Sequence, residues 1–377
     1  MKKFLLLFLL LFLVLSCENT NVPFLETGMP SLEQECLPKT APPVITPDNP
    51  KLSTEREPFT LTLCGDVFTG AEFAAAEVSY GKGYGFLQVS PYLRASDLSI
   101  VNLETAITER GSTKKRAGYA FRAKASTLSV LIDAGIDAVS IANNHVYDFG
   151  DEGLMDTLDA LEQAGIPYTG AGINLEDAAK AVFLKTKGYT IGFLAFDQYI
   201  PWEAWSATES TPGVATFTRE KYAYLLRRVT ETAKECDYLV VSLHWGTEYT
   251  YKASAWEQEV AHAIIDAGGD VIYGHHPHVL QGIELYKGCP ILYSCGNFLF
   301  YKKNDDAGQT AFFTLTFDEQ GFVKGEFTPV YITRMQSTLL PQNSDRYKAV
   351  VRILDTYSKP FGTTIDPNNR LFFIRQA

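Results

Sequence analysis

The stretch Gly274-His275-His276-Pro277-His278 directly follows the run Asp270-Val271-Ile272-Tyr273 and holds three of the six histidines in the 377-residue chain. A short apolar run closed by glycine and proline reads as a buried strand ending in a turn, so the imidazoles sit on irregular backbone at a strand terminus. One histidine in such a place would be an ordinary hydrogen-bonded residue; three around a single turn ask for another explanation. In an α/β sheet, ligands bind outside the carboxyl ends of the strands. Neutral imidazole is the commonest transition-metal ligand, and residues of such a turn can converge on one ion or on two adjacent ions. The turn therefore predicts a metal site at the edge of an α/β sheet, with its other ligands drawn from other strand ends.

Four further predicted strands end in residues of ligand type. The strand over 59–63 runs into Cys64-Gly65-Asp66, and that over 98–101 into Asn102-Leu103-Glu104. The strand over 138–141 leads to Ala142-Asn143-Asn144-His145, with Asp148 and Gly150 shortly after, and that over 238–243 to His244-Trp245-Gly246. Singly, each has a local account: Asp66 as a turn residue, Asn144 as a cap, His244 packed under Trp245. Strands of one sheet, however, deliver their ends to a common edge, which turns the scattered residues into one candidate set.

Between these strands the pattern alternates. Helices are expected over 86–94, 126–134, 151–164, 218–234, 254–267 and 343–357, with Ser126 capping the second. Strands are expected over 181–185 and 189–196, turning at Lys187-Gly188, and over 310–317 and 322–333; 279–286 and 290–294 form a hairpin turning at Lys287-Gly288. Residues 197–213 form a long aromatic loop with Trp202 and Trp205, suited to a lid or a substrate wall. Helix–strand alternation followed by a strand-rich half gives a layered α/β class with mixed sheets flanked by helices. No phosphate-binding loop of the Walker type and no Gly-x-Ser-x-Gly elbow occur.

The net charge of −11 excludes a diffuse basic surface for nucleic acid, and 46% hydrophobic content provides for a large core. Met1-Lys2-Lys3 followed by twelve apolar residues, Phe4 through Leu15, reads as an export signal, too short for the roughly 20 residues of a membrane span. Its ending, Leu13-Val14-Leu15-Ser16-Cys17, resembles a bacterial lipobox, which implies lipidation at Cys17 and an extracytoplasmic, membrane-anchored protein. Residues 18–58, rich in proline, read as an extended tether. The remaining cysteines (Cys36, Cys64, Cys236, Cys289 and Cys295) match no zinc-finger spacing, and buried free thiols are expected, with Cys64 and Cys295 neighbours in the sheet.

Taken in order, Gly65-Asp66, Asn102-Leu103-Glu104, Ala142-Asn143-Asn144-His145, His244-Trp245-Gly246 with Glu248-Tyr249, the 274–278 turn and Tyr293-Ser294-Cys295-Gly296-Asn297-Phe298 resemble the CapA family of capsule biosynthesis proteins, which is associated with poly-γ-glutamate. That family is similar in fold to the calcineurin-like metallophosphoesterases. The resemblance covers residues 59–335 and leaves 336–377 as a C-terminal helix and tail. It implies that Asp66, Glu104, Asn144, His244, His276 and His278 hold one or two divalent ions, with Glu104 as the bridge. The mix of carboxylate, amide and imidazole favours Mn, Fe or Zn. It further implies that His145 is an acid or charge-stabilising group oriented by Asp148, and that His275, Trp245, Glu248, Tyr249 and Asn297 contact substrate, with Trp202 and Trp205 along the same groove. Metallophosphoesterases usually carry a histidine two residues after the first aspartate. Here Phe68 stands in that place, which predicts a weak or empty first metal position. The expected partners are an anionic polymer or phosphoester substrate and a membrane synthetase complex, with a general phosphoesterase or a non-catalytic scaffold lipoprotein as the alternatives.

Overall fold

The computed structural model describes residues 56–113, 115–116, 118–301 and 304–376; the expected export signal, Cys17, Cys36 and the expected tether up to residue 55 lie outside the described residues. Six parallel strands organise the fold. In one sheet β1 (Phe59–Val67), β2 (Leu98–Leu103) and β3 (Ala138–Ser140) are adjacent. In a second sheet β4 (Tyr189–Asp197), β5 (Tyr238–His244) and β6 (Val271–His275) are adjacent. Antiparallel strands extend both. Gln309–Asp318 pairs with β1 and Gly321–Thr333 with Gln309–Asp318, while Val182–Thr186 pairs with β4 across the expected turn. The predicted hairpin is present as Ile283–Tyr286 and Cys289–Leu292, the latter running parallel to β6.

Alternation along the strands decides the layering. Phe59, Leu61 and Leu63 of β1, Ile191 and Phe193 of β4, Val240 of β5 and Val271 and Tyr273 of β6 share one buried cluster between the sheets. The residues of opposite parity, Leu194 and Phe196 of β4, Leu239, Val241 and Leu243 of β5 and Ile272 of β6, enter another cluster with Leu225 and Val229 of the helix Tyr222–Thr232 and Val260 and Ile264 of the helix Ala255–Asp266. A third cluster covers the outer face of the first sheet with Leu131, Leu154, Leu158 and Leu161 of the helices Leu128–Ala134 and Gly150–Ala164. Period-two burial on both faces of each sheet thus yields four layers, helix, sheet, sheet, helix. Each large apolar side chain so buried contributes about 1.5–3 kcal/mol.

Two expectations are corrected and one helix is added. Residues 336–377 hold the expected helix, as Asp345–Ser358, but the rest is not a tail: Gln336–Leu339 and Leu371–Ile374 both pair with Gly321–Thr333, and Val350 and Leu354 of the helix pack into the inter-sheet core. The helix Ala71–Tyr80 was not anticipated, because only Phe73 and Ala76 of its ten residues are buried and no apolar stripe marks it. Ser126 lies in a short 3-10 turn ahead of the helix Leu128–Ala134, whose cap is Thr127. Among the described residues no helix is long and apolar enough to cross a membrane. Cys64 and Cys295 are buried free thiols, as expected, and Cys236 and Cys289 are also free.

Candidate metal centre

Both sheets deliver the carboxyl ends of their parallel strands to the same edge. Asp66 near the end of β1 lies level with Asn102 of β2 and with Asn297 of the strand Asn297–Leu299. His244 of β5 lies between Asp197 of β4 and His275 of β6. The approach is tight enough to exclude side chains at two points: a Cβ on Gly65 would fall 2.0 Å from the Gly296 carbonyl oxygen, and one on Gly274 would fall 2.0 Å from that of Tyr293. Just beneath the edge, the Tyr273 hydroxyl donates to the Cys64 carbonyl and, at 3.1 Å, to that of Ile100, fastening the sheets together. The histidine turn itself is strained. His276 has φ +93° and His278 +57°, as does Tyr249 with +58°, whose N–H donates to Pro277 O at 2.8 Å. Such conformations cost on the order of 1–3 kcal/mol each for non-glycine residues and gather at functional sites.

The side chains converge. The Asn102 amide donates to Asp66 Oδ1 at 2.9 Å and to Glu104 Oε2 at 3.4 Å. His275 Nδ1 is 2.8 Å from Asp66 Oδ1, and His278 Nδ1 is 3.5 Å from Asp66 Oδ2. His244 Nε2 is 3.0 Å from Asn144 Oδ1 and 3.2 Å from His276 Nδ1. Ligand atoms of Asp66, Glu104 and His244 lie within 4.8 Å of one another. Asp66 and Glu104 are completely buried, yet Asp66 Oδ2, Glu104 Oε1 and His276 Nε2 have no hydrogen bond among the described residues. Buried polar atoms are rarely left so. A divalent cation would satisfy the two carboxylate oxygens, and the mixed donor set of Asp66, Glu104 and His244 fits one.

Electrostatics point the same way. Burial drives the Glu104 carboxyl well above its ordinary value, and the neighbouring Asp66 charge adds to it. Burial would do likewise to Asp66, but the His275 hydrogen bond and the nearby His278 ring together outweigh it and hold that carboxyl well below the usual range. Burial lowers His244 well below its normal value, with His276 reinforcing it, and takes His276 to about 3. These two rings are therefore neutral, as ligation requires. His278 goes the other way, to about 9: burial opposes its charge, but Glu104 and Asp66 prevail.

His145 flanks this cluster, its Nε2 3.8 Å from Glu104 Oε1. Its Nδ1 is 2.8 Å from Asp148 Oδ2, so the expected orienting carboxylate is in place. Phe121 stacks on the His145 ring with centroids 3.8 Å apart and also donates its N–H to Asp148. A cleft of about 340 Å³ opens over His145, His278, Glu248, Tyr249 and Asn297.

Of the expected site residues, Asp66, Glu104, Asn144, His244, His276 and His278 gather, with His145 and Asp148 at their flank. Glu248, Tyr249 and Asn297 line the cleft, Asn297 also accepting from His278 Nδ1 at 2.9 Å. Two expected substrate contacts lie elsewhere. Trp245 is fully buried under the second sheet, its Nε1 donating to Tyr293 O at 2.9 Å, because its apolar bulk serves that core. His275 is fully buried against Asp66, where no substrate reaches it. Trp205 packs against Tyr147, and Trp202 on Trp205, beside rather than inside the cleft. Phe68 is buried against Phe121 and Phe300, giving an apolar wall where an imidazole was the family expectation. Sequence reasoning missed Lys115 and Asp197 as members of the site. Asp197 is buried with Oδ2 lacking a hydrogen bond, and its signal was available: it ends an apolar strand, as Asp66 does. Lys115 sits in a basic run that reads as exposed surface.

The profile of the bacterial capsule synthesis protein family PGA_cap matches residues 60–302. The capsule biosynthesis protein CapA of Bacillus anthracis is 35% identical over 251 residues, 65% of this chain and 61% of that protein. The PGA biosynthesis protein CapA of Bacillus subtilis is 31% identical over 310 residues, 81% of this chain and 80% of that protein. Among solved structures, the NAD nucleotidase NadN of Haemophilus influenzae aligns with a TM-score of 0.42 at 14% identity over 80% of this chain and 63% of that one, a likeness too loose to bear on function. With its motifs in family order and its profile match spanning most of the folded region, the chain belongs to the CapA family of bacterial capsule synthesis proteins.

Proposed function

We propose that this protein is an exported, lipid-anchored CapA protein of capsule or poly-γ-glutamate metabolism whose sheet edge is a metal-dependent hydrolase-type site. The observation that carries the site is the buried cluster of Asp66, Glu104 and His244, whose ligand atoms lie within 4.8 Å of one another and among which Asp66 Oδ2 and Glu104 Oε1 have no hydrogen bond among the described residues. Glu104, Asn144, His244 and His276, with Asp66, would hold one ion; Asp66, Glu104 and His278 would hold a weaker second one, since Phe68 offers it nothing. A bound divalent ion supplies charge neutralisation and polarisation of a phosphoryl or carbonyl oxygen. His145, held by Asp148, moves a proton at Nε2, and the cleft walls Glu248, Tyr249 and Asn297 orient the chain being cut. Anchoring rests on the Leu13–Cys17 sequence, and a Cys17→Ala protein is expected to leave the membrane fraction for the soluble one.

The experiment is elemental analysis of the purified protein, followed by assays on a chromogenic phosphodiester and on a γ-linked glutamate oligomer. Bound Mn, Fe or Zn with turnover of either substrate supports the proposal and selects its substrate class. Absence of any bound ion after growth with all three metals would falsify it. A second possibility is a scaffold role in a synthesis complex, which the apolar Phe68 wall favours. A Mycobacterium tuberculosis relative, 35% identical over 211 residues, bears the description probable polyglutamine synthesis accessory protein. Unchanged polymer output from an Asp66→Ala protein that has lost its metal would select the scaffold.

A further inference from the structure

His276 is held differently from the other histidines of the centre. His275 and His145 set Nδ1 against the carboxylates of Asp66 and Asp148, and His278 sets its Nδ1 against Asn297 Oδ1, all over 2.8 to 2.9 Å. His244 has the Asn102 amide nitrogen 3.4 Å from its Nδ1. His276 has no such partner: its Nδ1 faces His244 Nε2 at 3.2 Å, and its Nε2 has no hydrogen bond among the described residues. Histidines that hold a metal almost always have the second ring nitrogen fixed by a carboxylate, a carbonyl or water. The His276 backbone is also strained, at φ +93°, a conformation that persists only where the surroundings hold it. What lies against the ring is Tyr199, stacked with centroids 4.2 Å apart and planes 27° from parallel.

We propose that Tyr199 is a positioning residue, whose ring fixes the plane in which the His276 imidazole meets the ion; the inference rests on the proposed ion-binding centre. An aromatic face sets the tilt of a neighbouring ring without competing for either of its nitrogens, so the stack can stand where a hydrogen bond is missing. Core packing does not account for Tyr199. It enters none of the three buried clusters and is 47% exposed, while His276 against it is 1% exposed. Its own place is fixed by backbone: the Tyr199 N–H donates to Asp197 Oδ1 at 2.6 Å, and the Gln198 N–H to the His244 carbonyl at 2.8 Å. The turn that carries the ring is thus fastened to the strand end of another proposed ligand. The far end of the same loop reaches the opposite flank, where the Trp205 ring centre lies 5.3 Å from Lys115 Nζ and Lys115 grips Asp148 Oδ1 at 2.5 Å. The Tyr199 hydroxyl makes no hydrogen bond among the described residues, so the ring alone carries the effect.

The test is calorimetric titration of the metal-free full chain with Zn²⁺. Expected is an affinity about 10-fold weaker in Tyr199→Ala, the low end for losing a group that orients a ligand, and unchanged in Tyr199→Phe, which keeps the ring. In a His276→Ala background, which retains Asp66, Glu104 and His244, Tyr199→Ala should add nothing. A loss of the same size in both backgrounds overturns the proposal, because a merely structural tyrosine would act through the whole centre. So does a Tyr199→Phe protein as weak as the alanine one, or a Tyr199→Ala protein that binds as its parent does. If the alanine protein does not fold, Tyr199→Leu, which keeps apolar bulk without a flat face, is read by the same criteria. A parent that takes up no Zn²⁺ overturns the ion-binding reading and this inference together; an ion-binding parent indifferent to Tyr199→Ala overturns this inference alone.

Discussion

The two edges of the paired sheets use their acidic residues in opposite ways. At the amino edge one aspartate immediately precedes each of four parallel strands: Asp97 before β2, Asp137 before β3, Asp237 before β5 and Asp270 before β6. Each carboxylate accepts the backbone N–H of the second residue of the neighbouring strand, at Thr60, Ser99, Thr190 and Leu239, over 2.7 to 2.8 Å. At the carboxyl edge Asp66, Glu104 and Asp197 are more deeply buried, and each keeps an oxygen without a hydrogen bond among the described residues. Acidic residues of the same two sheets are satisfied at one end and left wanting at the other. Local rules are obeyed where the fold is being held and broken where a ligand is awaited.

If that division is right, substitutions at the two edges separate ion binding from stability. His244→Ala should have the largest effect, weakening Zn or Mn binding by roughly 100-fold in calorimetric titration; an unchanged affinity would remove His244 from the centre. Next, Asp97→Ala strands the Thr60 N–H, now bonded at 2.8 Å, and should lower stability to urea by about 1–3 kcal/mol while leaving ion affinity alone. Glu104→Gln should act with the opposite sign. It removes a carboxyl whose ionisation burial and Asp66 both penalise, so the metal-free protein gains about 1 kcal/mol while ion affinity falls. A metal-free Glu104→Gln protein less stable than its parent would mean that this edge, too, is structural.

The carboxyl edge was legible in the sequence because its signals are local. Alternation identifies each strand, and the Gly-Asp, Asn-x-Glu and Gly-His-His termini follow directly. The amino-edge aspartates were passed over, since an acid before an apolar run looks like any loop residue until the neighbouring strand is known. Trp245 and His275 were misassigned because sequence gives adjacency, not the direction a side chain takes; successive residues leaving a strand point to opposite faces. Lys115 was hidden by its neighbours, and the last two strands by the polar stretch around Gln342 that precedes the helix Asp345–Ser358.

The finest test lies within the amino edge itself. Burial raises the Asp270 carboxyl to about 6, the Leu239 N–H only partly offsetting it. At Asp97 burial also acts upward, but Lys187, 2.9 Å away, and the hydrogen bonds from the Thr60 N–H and hydroxyl together outweigh it, and the pKa falls below its ordinary value. For Asp270 the folded value exceeds the unfolded one of about 3.9, so its contribution is fully present below about pH 4 and lost as pH rises through about 6. For Asp97 the contribution is present above the unfolded value and lost as pH falls through the folded one. Asp270→Asn keeps an oxygen for the Leu239 N–H but cannot ionise. It should therefore remove the stability lost between pH 4 and 6 and leave the protein about 1 kcal/mol more stable than its parent at pH 7, after discounting for partial solvation. Asp97→Asn should be less stable than its parent at pH 7 and approach it as pH falls toward 3. Denaturant midpoints for both variants across pH 3 to 7 decide the matter: slopes of the same sign would mean that the two aspartates do not differ in the way their partners imply.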